Sequence, residues 1–149
     1  GSSTMLQSDF VSTTLRGRMA VARRSLRPVS VVCFEAYETH AGRPTVPVAA
    51  DALAALLHRT LREADVSARG PDGTVICILE DTGEDGAVWT AERVRRSLVE
   101  GAAGRRFRAG IASYPTHALE AEELLDKALT ALDAARDWGR DRIEVATST

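Results

Sequence analysis

Two Arg-x-x-Asp segments have the clearest capacity for ligand chemistry in this chain: Arg62 with Asp65, and Arg69 with Asp72. The planar guanidinium of arginine can donate two hydrogen bonds to a phosphate or to the O6/N7 edge of guanine. A carboxylate can accept hydrogen bonds from the N1 and N2 groups of guanine. Chance alone predicts about one such segment in a chain with 18 arginines and 10 aspartates. The position of a segment in the fold must therefore decide whether it binds a ligand or forms a local ion pair.

The histidines and cysteines do not form a recognisable metal site. His40, His58 and His117 are scattered, with no second ligand at the spacing typical of zinc sites. Cys33 and Cys77 lie within apolar runs, which favours small buried thiols in a reducing compartment over a disulfide. We therefore expect no metal site built from these residues.

The composition indicates one globular domain, because 44% hydrophobic and 27% charged residues in a chain of 149 residues are ordinary for a folded protein. A net charge of -2 predicts no general affinity for nucleic acid. No apolar run approaches the length of about 18 residues that a membrane-spanning helix needs. We expect a cytoplasmic domain that does not contact a membrane through this segment and that can have neighbouring domains in a longer protein.

Helical and strand patterns alternate along the chain. We interpret residues 1–8 as a tag remnant or disordered segment, residues 9–27 as an N-terminal helix and residues 28–149 as the main domain. Residue patterns predict further helices over 47–64, 84–100 and 118–138, strands over 29–34, 66–69, 74–79, 107–114 and 142–146, and a polar loop over 38–45. The Gly-Pro-Asp-Gly turn at 70–73 joins two short strands as an antiparallel hairpin, which excludes a purely parallel sheet. This order predicts an α+β fold in which helices cover a sheet.

Three segments resemble sequence landmarks of the GGDEF domain of bacterial diguanylate cyclases. Residues 110–115, Gly-Ile-Ala-Ser-Tyr-Pro, resemble the family strand S-I/V-G-I/V-A-x-Y/F-P, with Ala109 in place of the serine. Residues 128–142 resemble its terminal segment A-D-x-A-L-Y-x-A-K-x-x-G-R-N-R, and residues 62–69 resemble its segment R-x-x-D-x-x-A-R. The resemblance covers about Val29 to Val145. It implies a palm-like, ferredoxin-like βααββαβ fold whose mainly antiparallel central sheet is flanked by helices.

The resemblance also implies that the catalytic residues of the family have been lost. In active members, signature glycines let the backbone approach the nucleotide, and signature acids hold a metal and the attacking 3′-hydroxyl. The first metal aspartate falls at Cys33, a soft ligand that does not suit magnesium. The degenerate signature in this chain consists of Pro71, Asp72, Gly73, Thr74 and Val75. We therefore expect a degenerate domain with no catalytic residue, no magnesium site and no cyclase activity.

Some charged positions of the family's nucleotide site remain. Glu35 is the one acid left on the opening strand, at the family's second strand acid, whereas the phosphate-binding lysine falls near Glu38, which has the opposite charge. Arg136 and Arg140 lie where family members contact phosphate, and we interpret them as possible phosphate contacts. Two arginines without a metal do not make a catalyst, because phosphoryl transfer depends on charge neutralisation by metal ions.

The resemblance implies that a regulatory site has survived. The family's product-inhibition site binds cyclic di-GMP through an Arg-x-x-Asp motif five residues before the signature and an arginine on the next helix. Arg62 and Asp65 have that five-residue gap before Pro71, and the helix arginine corresponds to Arg93. We therefore interpret the chain as a cyclic di-GMP receptor, and as a homodimer that the ligand can bridge. The alternative for these residues is a helix-end ion pair and a solvated helix face.

Two other functions remain as alternatives. The chain can be a nucleotide-independent module for dimerisation or interdomain contact, and the arginines of its first helix would then cover an interdomain face. Allosteric GTP binding without turnover is less favoured, because the signature glycines are missing. Trp89 and Trp138 are interpreted as partly buried packing residues rather than as stacking platforms. The alternative for Trp89, which lies one turn before Arg93, is that it flanks a bound guanine.

Overall fold

The computed structural model describes residues 2–40, 43–70, 73–102, 104–138 and 141–147, so Pro71, Asp72 and Arg140 lie outside the described residues. The helices are α1 (Ser2–Ser25), α2 (Ala50–Thr60), α3 (Glu84–Gly101) and α4 (Ala121–Arg136). The strands are β1 (Val29–His40), β2 (Arg43–Pro47), β3 (Val66–Arg69), β4 (Val75–Glu80), β5 (Arg105–Tyr114) and β6 (Arg142–Val145). α1 begins earlier in the chain than the predicted residue 9.

β1 is the central strand of the sheet. The strand order is β3-β4-β1-β5-β6, and β2 also pairs with β1. β1 is antiparallel to β2, β4 and β5, and β3 is antiparallel to β4, whereas β5 and β6 are parallel. The run from Val29 to Phe34 suits the central position, because β-branched side chains pack well on both faces of a pleated strand. The predicted α+β fold with a mainly antiparallel sheet flanked by helices is confirmed.

The sheet buries a separate apolar core on each face. α2 and α3 cover one face, where Phe34 of β1 packs against Phe107 of β5 with 5.2 Å between the ring centroids. α1 and α4 cover the other face, where Leu15 and Leu124 pack around Val31. This division follows from β1 itself, because successive side chains of a strand alternate between the two faces.

The two cysteines lie on opposite faces of the sheet. Cys33 of β1 belongs to the core under α1 and α4, and Cys77 of β4 belongs to the core under α2 and α3. Both thiols are buried and free, as predicted. Burial raises the pKa of the Cys77 thiol to about 12 and also raises the pKa of Cys33. Their opposite orientations exclude a disulfide between them.

Gly110 of β5 allows α4 to approach the sheet to main-chain contact. A Cβ atom at this position would overlap the backbone of Ala128 and Leu132, and would lie 2.8 Å from the carbonyl carbon of Ala131. The helix presents small side chains to the strand, since Ala128 and Ala135 are fully buried. The position of α4 on the sheet therefore depends on the absence of a side chain at residue 110.

Residues 38–45, which we predicted to be a loop, lie mostly in strands. β1 continues to His40 and β2 returns antiparallel to it, with Tyr37 opposite Pro47. Among the described strands β2 pairs only with β1, so it lies at an edge. Proline is tolerated in an edge strand, because no neighbouring strand needs the N–H that proline lacks. The sequence of residues 38–45 is polar and contains Gly42 and Pro44, residues typical of loops, which is why the pattern resembled a loop.

α2 is shorter than predicted at both ends. It begins at Ala50 instead of Pro47, because Pro47 belongs to β2. It ends at Thr60, before its predicted end, because the following residues form a turn held by Asp65. In that turn, the main-chain N–H of Arg62 donates to the Asp65 carboxylate, and the N–H of Asp65 donates to the carbonyl of Arg62.

Replacement of Gly110 by alanine is expected to lower the free energy of unfolding by about 3 kcal/mol or more, because overpacking against main-chain atoms cannot be relieved by a rotamer change. Urea unfolding of both proteins measures the difference. Gly17→Ala is the control, since nothing lies within 4 Å of a Cβ atom on the exposed side of α1. That variant should gain roughly 0.5–1 kcal/mol. Equal stability of Gly110→Ala and the wild type would contradict the close contact.

Candidate functional site

Asp65 anchors the turn that follows α2. Its side chain is only 4% exposed. One carboxylate oxygen accepts a hydrogen bond from the main-chain N–H of Arg62 at 3.0 Å, and the other accepts one from the N–H of Glu80 in β4 at 3.2 Å. Hydrogen bonds from N–H groups to a carboxylate are stronger than those between neutral groups. Asp65 therefore fixes the turn against the end of β4.

Arg62 extends from this turn with its guanidinium at the surface, and its side chain is 59% exposed. Nη2 donates to Oγ1 of Thr82 at 2.7 Å and to the main-chain carbonyl of Glu80. Nε lies 3.5 Å from Oδ2 of Asp65. These contacts hold the guanidinium in a defined position and leave more than half of the side chain accessible.

Arg93 lies on the exposed face of α3, opposite the buried residues of that helix. Its guanidinium lies over the ring of Trp89, 4.9 Å from the centroid. Trp89 is 58% exposed and Trp138 is 41% exposed, so the prediction that both are partly buried packing residues is wrong. The ring of Trp138 lies 4.2 Å from the guanidinium of Arg142.

The structure brings Arg62 and Asp65 together but holds Arg93 apart. In the described part of the chain, no hydrogen bond or ion pair joins Arg93 to either residue. Arg62 is bonded to Thr82, which precedes α3, whereas Arg93 lies in the third turn of that helix. A ligand that contacts both arginines must therefore reach two different elements.

A cavity of about 520 Å³ adjoins Arg62, between the end of α1 and the corner that joins β4 to α3. Arg18 and Arg27 also line it. Arg18 pairs with Glu80 at 3.0 Å, and Arg27 pairs with Asp81 at 2.8 Å. The corner that holds Arg62 therefore also attaches α1 to the domain.

The described residues of the β3–β4 hairpin offer no acid at the family's signature positions. Thr74 and Val75 are 2% and 8% exposed, so their side chains face the protein interior. Gly73 has a φ of +78°, a left-handed conformation that favours glycine. The N–H of Gly70 donates to the carbonyl of Thr74 at 2.7 Å. Gly73, Thr74 and Val75 therefore present no side chain to a metal or a nucleotide.

Glu35 of β1 is held between two arginines. Nε and Nη2 of Arg136 donate to its two carboxylate oxygens at 3.1 and 3.3 Å, and Nη1 of Arg108 lies 3.8 Å from it. The hydrogen bond to Glu35 raises the pKa of Arg136 above its usual value. Arg136 also donates to Asp133 at 3.2 Å. This possible phosphate contact is thus already neutralised by carboxylates of the chain.

Neither a metal centre nor a membrane span occurs in the residues that the structure describes. No group of three or more His, Cys, Asp or Glu side chains could hold a metal ion there. No helix among these residues has both the length and the apolar character needed to cross a bilayer.

Sequence reasoning missed Glu80 and Thr82, which hold Arg62 from the β4–α3 corner. Glu80 acts on Arg62 through its carbonyl oxygen, a group that every residue has. The signal available in the sequence was the polar run of residues 80–82 that follows the apolar residues of β4. Such runs are common at strand ends.

Asp65→Ala is expected to lower the free energy of unfolding by about 1–3 kcal/mol, because two main-chain N–H groups lose a largely buried acceptor. Arg62→Ala should cost less than about 1 kcal/mol, since exposed ion pairs contribute little. Urea unfolding of the two variants compares them directly. Similar losses in both would mean that the aspartate is not the anchor of the turn.

No protein-family model matches the chain, and neither does any curated protein. Solved structures do match it. The GGDEF domain of TpbB (or YfiN) from Pseudomonas aeruginosa has a TM-score of 0.77 at 21% identity, over 94% of this chain and 89% of that one. The active GGEEF domain of a diguanylate cyclase from Vibrio cholerae has a TM-score of 0.76 at 19% identity, over 95% and 97%.

A third match is the GGDEF domain of DgcB from Caulobacter crescentus, solved in complex with c-di-GMP. Its TM-score is 0.70 at 15% identity, over 89% of this chain and 86% of that one. Likeness at such identities establishes the architecture and not the chemistry. The chain has the α+β fold of GGDEF domains, the fold on which diguanylate cyclases are built.

Proposed function

We propose that this chain is a catalytically inactive GGDEF-like domain that acts as a cyclic di-GMP receptor through Arg62, Asp65 and Arg93. The observation that carries the proposal is the position of Arg62, whose turn is fixed by a buried aspartate while its side chain stays 59% exposed. Arg93 supplies a second exposed guanidinium on α3. Guanidinium groups in fixed positions suit phosphate and guanine, which both present paired acceptors.

The loss of activity is supported by the residues at the family's metal positions. Cys33 is a fully buried thiol, and Thr74 is a buried hydroxyl. Glu35 is neutralised by Arg136. Metal ions neutralise the phosphates during phosphoryl transfer from GTP, and these groups are poor ligands for them.

The location of the two arginines on different elements favours a ligand with several polar groups, such as a cyclic dinucleotide, over a smaller anion. Cyclic di-GMP carries two phosphates and two guanines, so it can meet Arg62 and Arg93 with different groups. It is also two-fold symmetric, and a half left exposed on one domain can bind a second copy of the chain. A ligand-linked homodimer is therefore the expected bound state.

Asp65 acts in this proposal as a positioning residue. Both of its carboxylate oxygens accept main-chain N–H groups, and little of its side chain is exposed. Direct contact with the ligand falls mainly to Arg62 and Arg93. This differs from the sequence-based hypothesis, in which the carboxylate itself accepted hydrogen bonds from guanine.

Isothermal titration with cyclic di-GMP tests the proposal. We expect the wild type to bind and Arg62→Ala to bind on the order of 10- to 100-fold more weakly, because a hydrogen bond to a charged group contributes about 1.5–3 kcal/mol. Arg69→Ala is the matched control, an exposed arginine in the second Arg-x-x-Asp segment, and should bind like the wild type. No binding at tens of micromolar ligand, or unchanged binding by Arg62→Ala, would refute the proposal. A parallel titration with GTP tests the allosteric alternative.

A second candidate function, nucleotide-independent self-association or interdomain contact, is favoured by exposed apolar side chains on and after α1. Phe10 and Val21 are 52% and 45% exposed, and Leu26 is 92% exposed directly after the helix. Leu26 also has a φ of +58°, a conformation uncommon for residues other than glycine. Exposed apolar side chains that form a patch commonly mark surfaces that contact another chain.

Light scattering over a range of protein concentrations, without nucleotide, tests this second function. An increase of the weight-average mass with concentration is expected, and Val21→Ser should reduce it. Val46→Ser is the control, because Val46 is 53% exposed on β2, away from α1. A mass that stays monomeric at every concentration, or an equal effect of both variants, would count against an interface on α1.

A further inference from the structure

Gly86, Trp89 and Arg93 of α3 are spaced by three and four residues and therefore share one face of the helix, and Thr82 lies four residues before Gly86. Arg62 donates to Oγ1 of Thr82 at 2.7 Å. Cγ2 of Thr82 lies 3.0 Å from the position that a Cβ atom would take on Gly86. Trp89 follows one turn later, and Arg93 lies over its ring one turn beyond that. In sequence along this face, the indole of Trp89 thus lies between the residue that binds Arg62 and Arg93 itself.

Apart from Arg93, the surface of α3 beside Trp89 carries little that could cover the ring. A helical side chain leans over the turn on the N-terminal side of its own Cα, which for Trp89 is the turn that contains Asp85 and Gly86. Gly86 has no side chain, and both residues are exposed. Among the described residues, the guanidinium of Arg93 forms a cation–π contact with the Trp89 ring, and Trp89 remains 58% exposed.

We propose that Trp89 is a stacking platform for one guanine base of the ligand, with Arg93 on the ring and Arg62 within reach of the other polar groups of the ligand. This inference rests on the proposed receptor function and adds a residue that determines specificity. A purine stacks on an indole face because both are flat and apolar, and a neighbouring arginine adds a cation–π contribution. The ring selects a planar base, and the guanidinium groups select its guanine edge and the phosphates.

Trp89→Ala is expected to weaken cyclic di-GMP binding by about 10- to 100-fold in isothermal titration, the usual range for loss of one base stack. Trp89→Phe keeps a smaller aromatic face and should lose less. Trp138→Ala is the matched control, because Trp138 is also substantially exposed next to an arginine but lies beyond α4. It should bind like the wild type.

Tryptophan emission supplies a readout that a purely structural role would not change. The chain has two tryptophans, so Trp138→Phe leaves Trp89 as the one indole fluorophore. Cyclic di-GMP is expected to quench its emission with the same midpoint that calorimetry gives. Cyclic di-AMP should bind more weakly, because it stacks but lacks the guanine edge.

The outcomes separate this inference from the receptor function. If the wild type binds cyclic di-GMP and Trp89→Ala binds equally well, or if Trp89 emission does not respond, the stacking platform is wrong and the receptor function stands. If the wild type does not bind, both are wrong. Equal losses in Trp89→Ala and Trp138→Ala would also overturn the inference, because the effect would not be local.

Discussion

The close contact of α4 with β5 at Gly110 is the constraint on which the arrangement of charged residues depends. Without a side chain at this position, the helix lies against the strand, and its last turn carries Arg136 to Glu35 of β1. A wider spacing between helix and sheet would separate this pair. The neutralisation of Glu35 inside the domain is thus a result of backbone packing and not only of charge attraction.

The charged residues near the two ends of the central strand β1 differ in their exposure. Val29, where β1 begins, lies opposite Glu80, whereas Glu35 lies further along the same strand, opposite Arg108. At the Glu35 end, cations and anions neutralise one another. At the Glu80 end, Arg62 is fixed in position but remains largely exposed. Arg18 and Glu80, and Arg27 and Asp81, also form ion pairs at this end, so the two ends differ in the exposure of Arg62 and not in the presence of charge pairing.

Apolar periodicity and turn residues were sufficient to predict α3 and the hairpin, because both depend on contacts close in sequence. The mainly antiparallel sheet was implied by the family resemblance, since β1 pairs with β4 and β5, which lie far along the chain. β2 was missed because two prolines and a neighbouring glycine in a short, largely polar run are typical of a loop. The burial of Asp65 depends on the N–H of Glu80 in another strand, which the local sequence does not reveal. Val88 and Trp89 are adjacent, and only the docking of α3 on the sheet decides which of them faces solvent.

Three different groups of Glu80 make contacts. Its main-chain N–H donates to Asp65, its carbonyl accepts from Arg62 and from Oγ1 of Thr82, and its carboxylate accepts from Arg18 of α1. The first two contacts are available to any residue with an N–H and a carbonyl, and only the third depends on the identity of the side chain. Evolution can therefore loosen or reinforce the attachment of α1 by changing one side chain without rebuilding the turn that carries Arg62. Substitution of residue 80 can thus change the contact between α1 and the rest of the domain while the turn keeps its two main-chain hydrogen bonds.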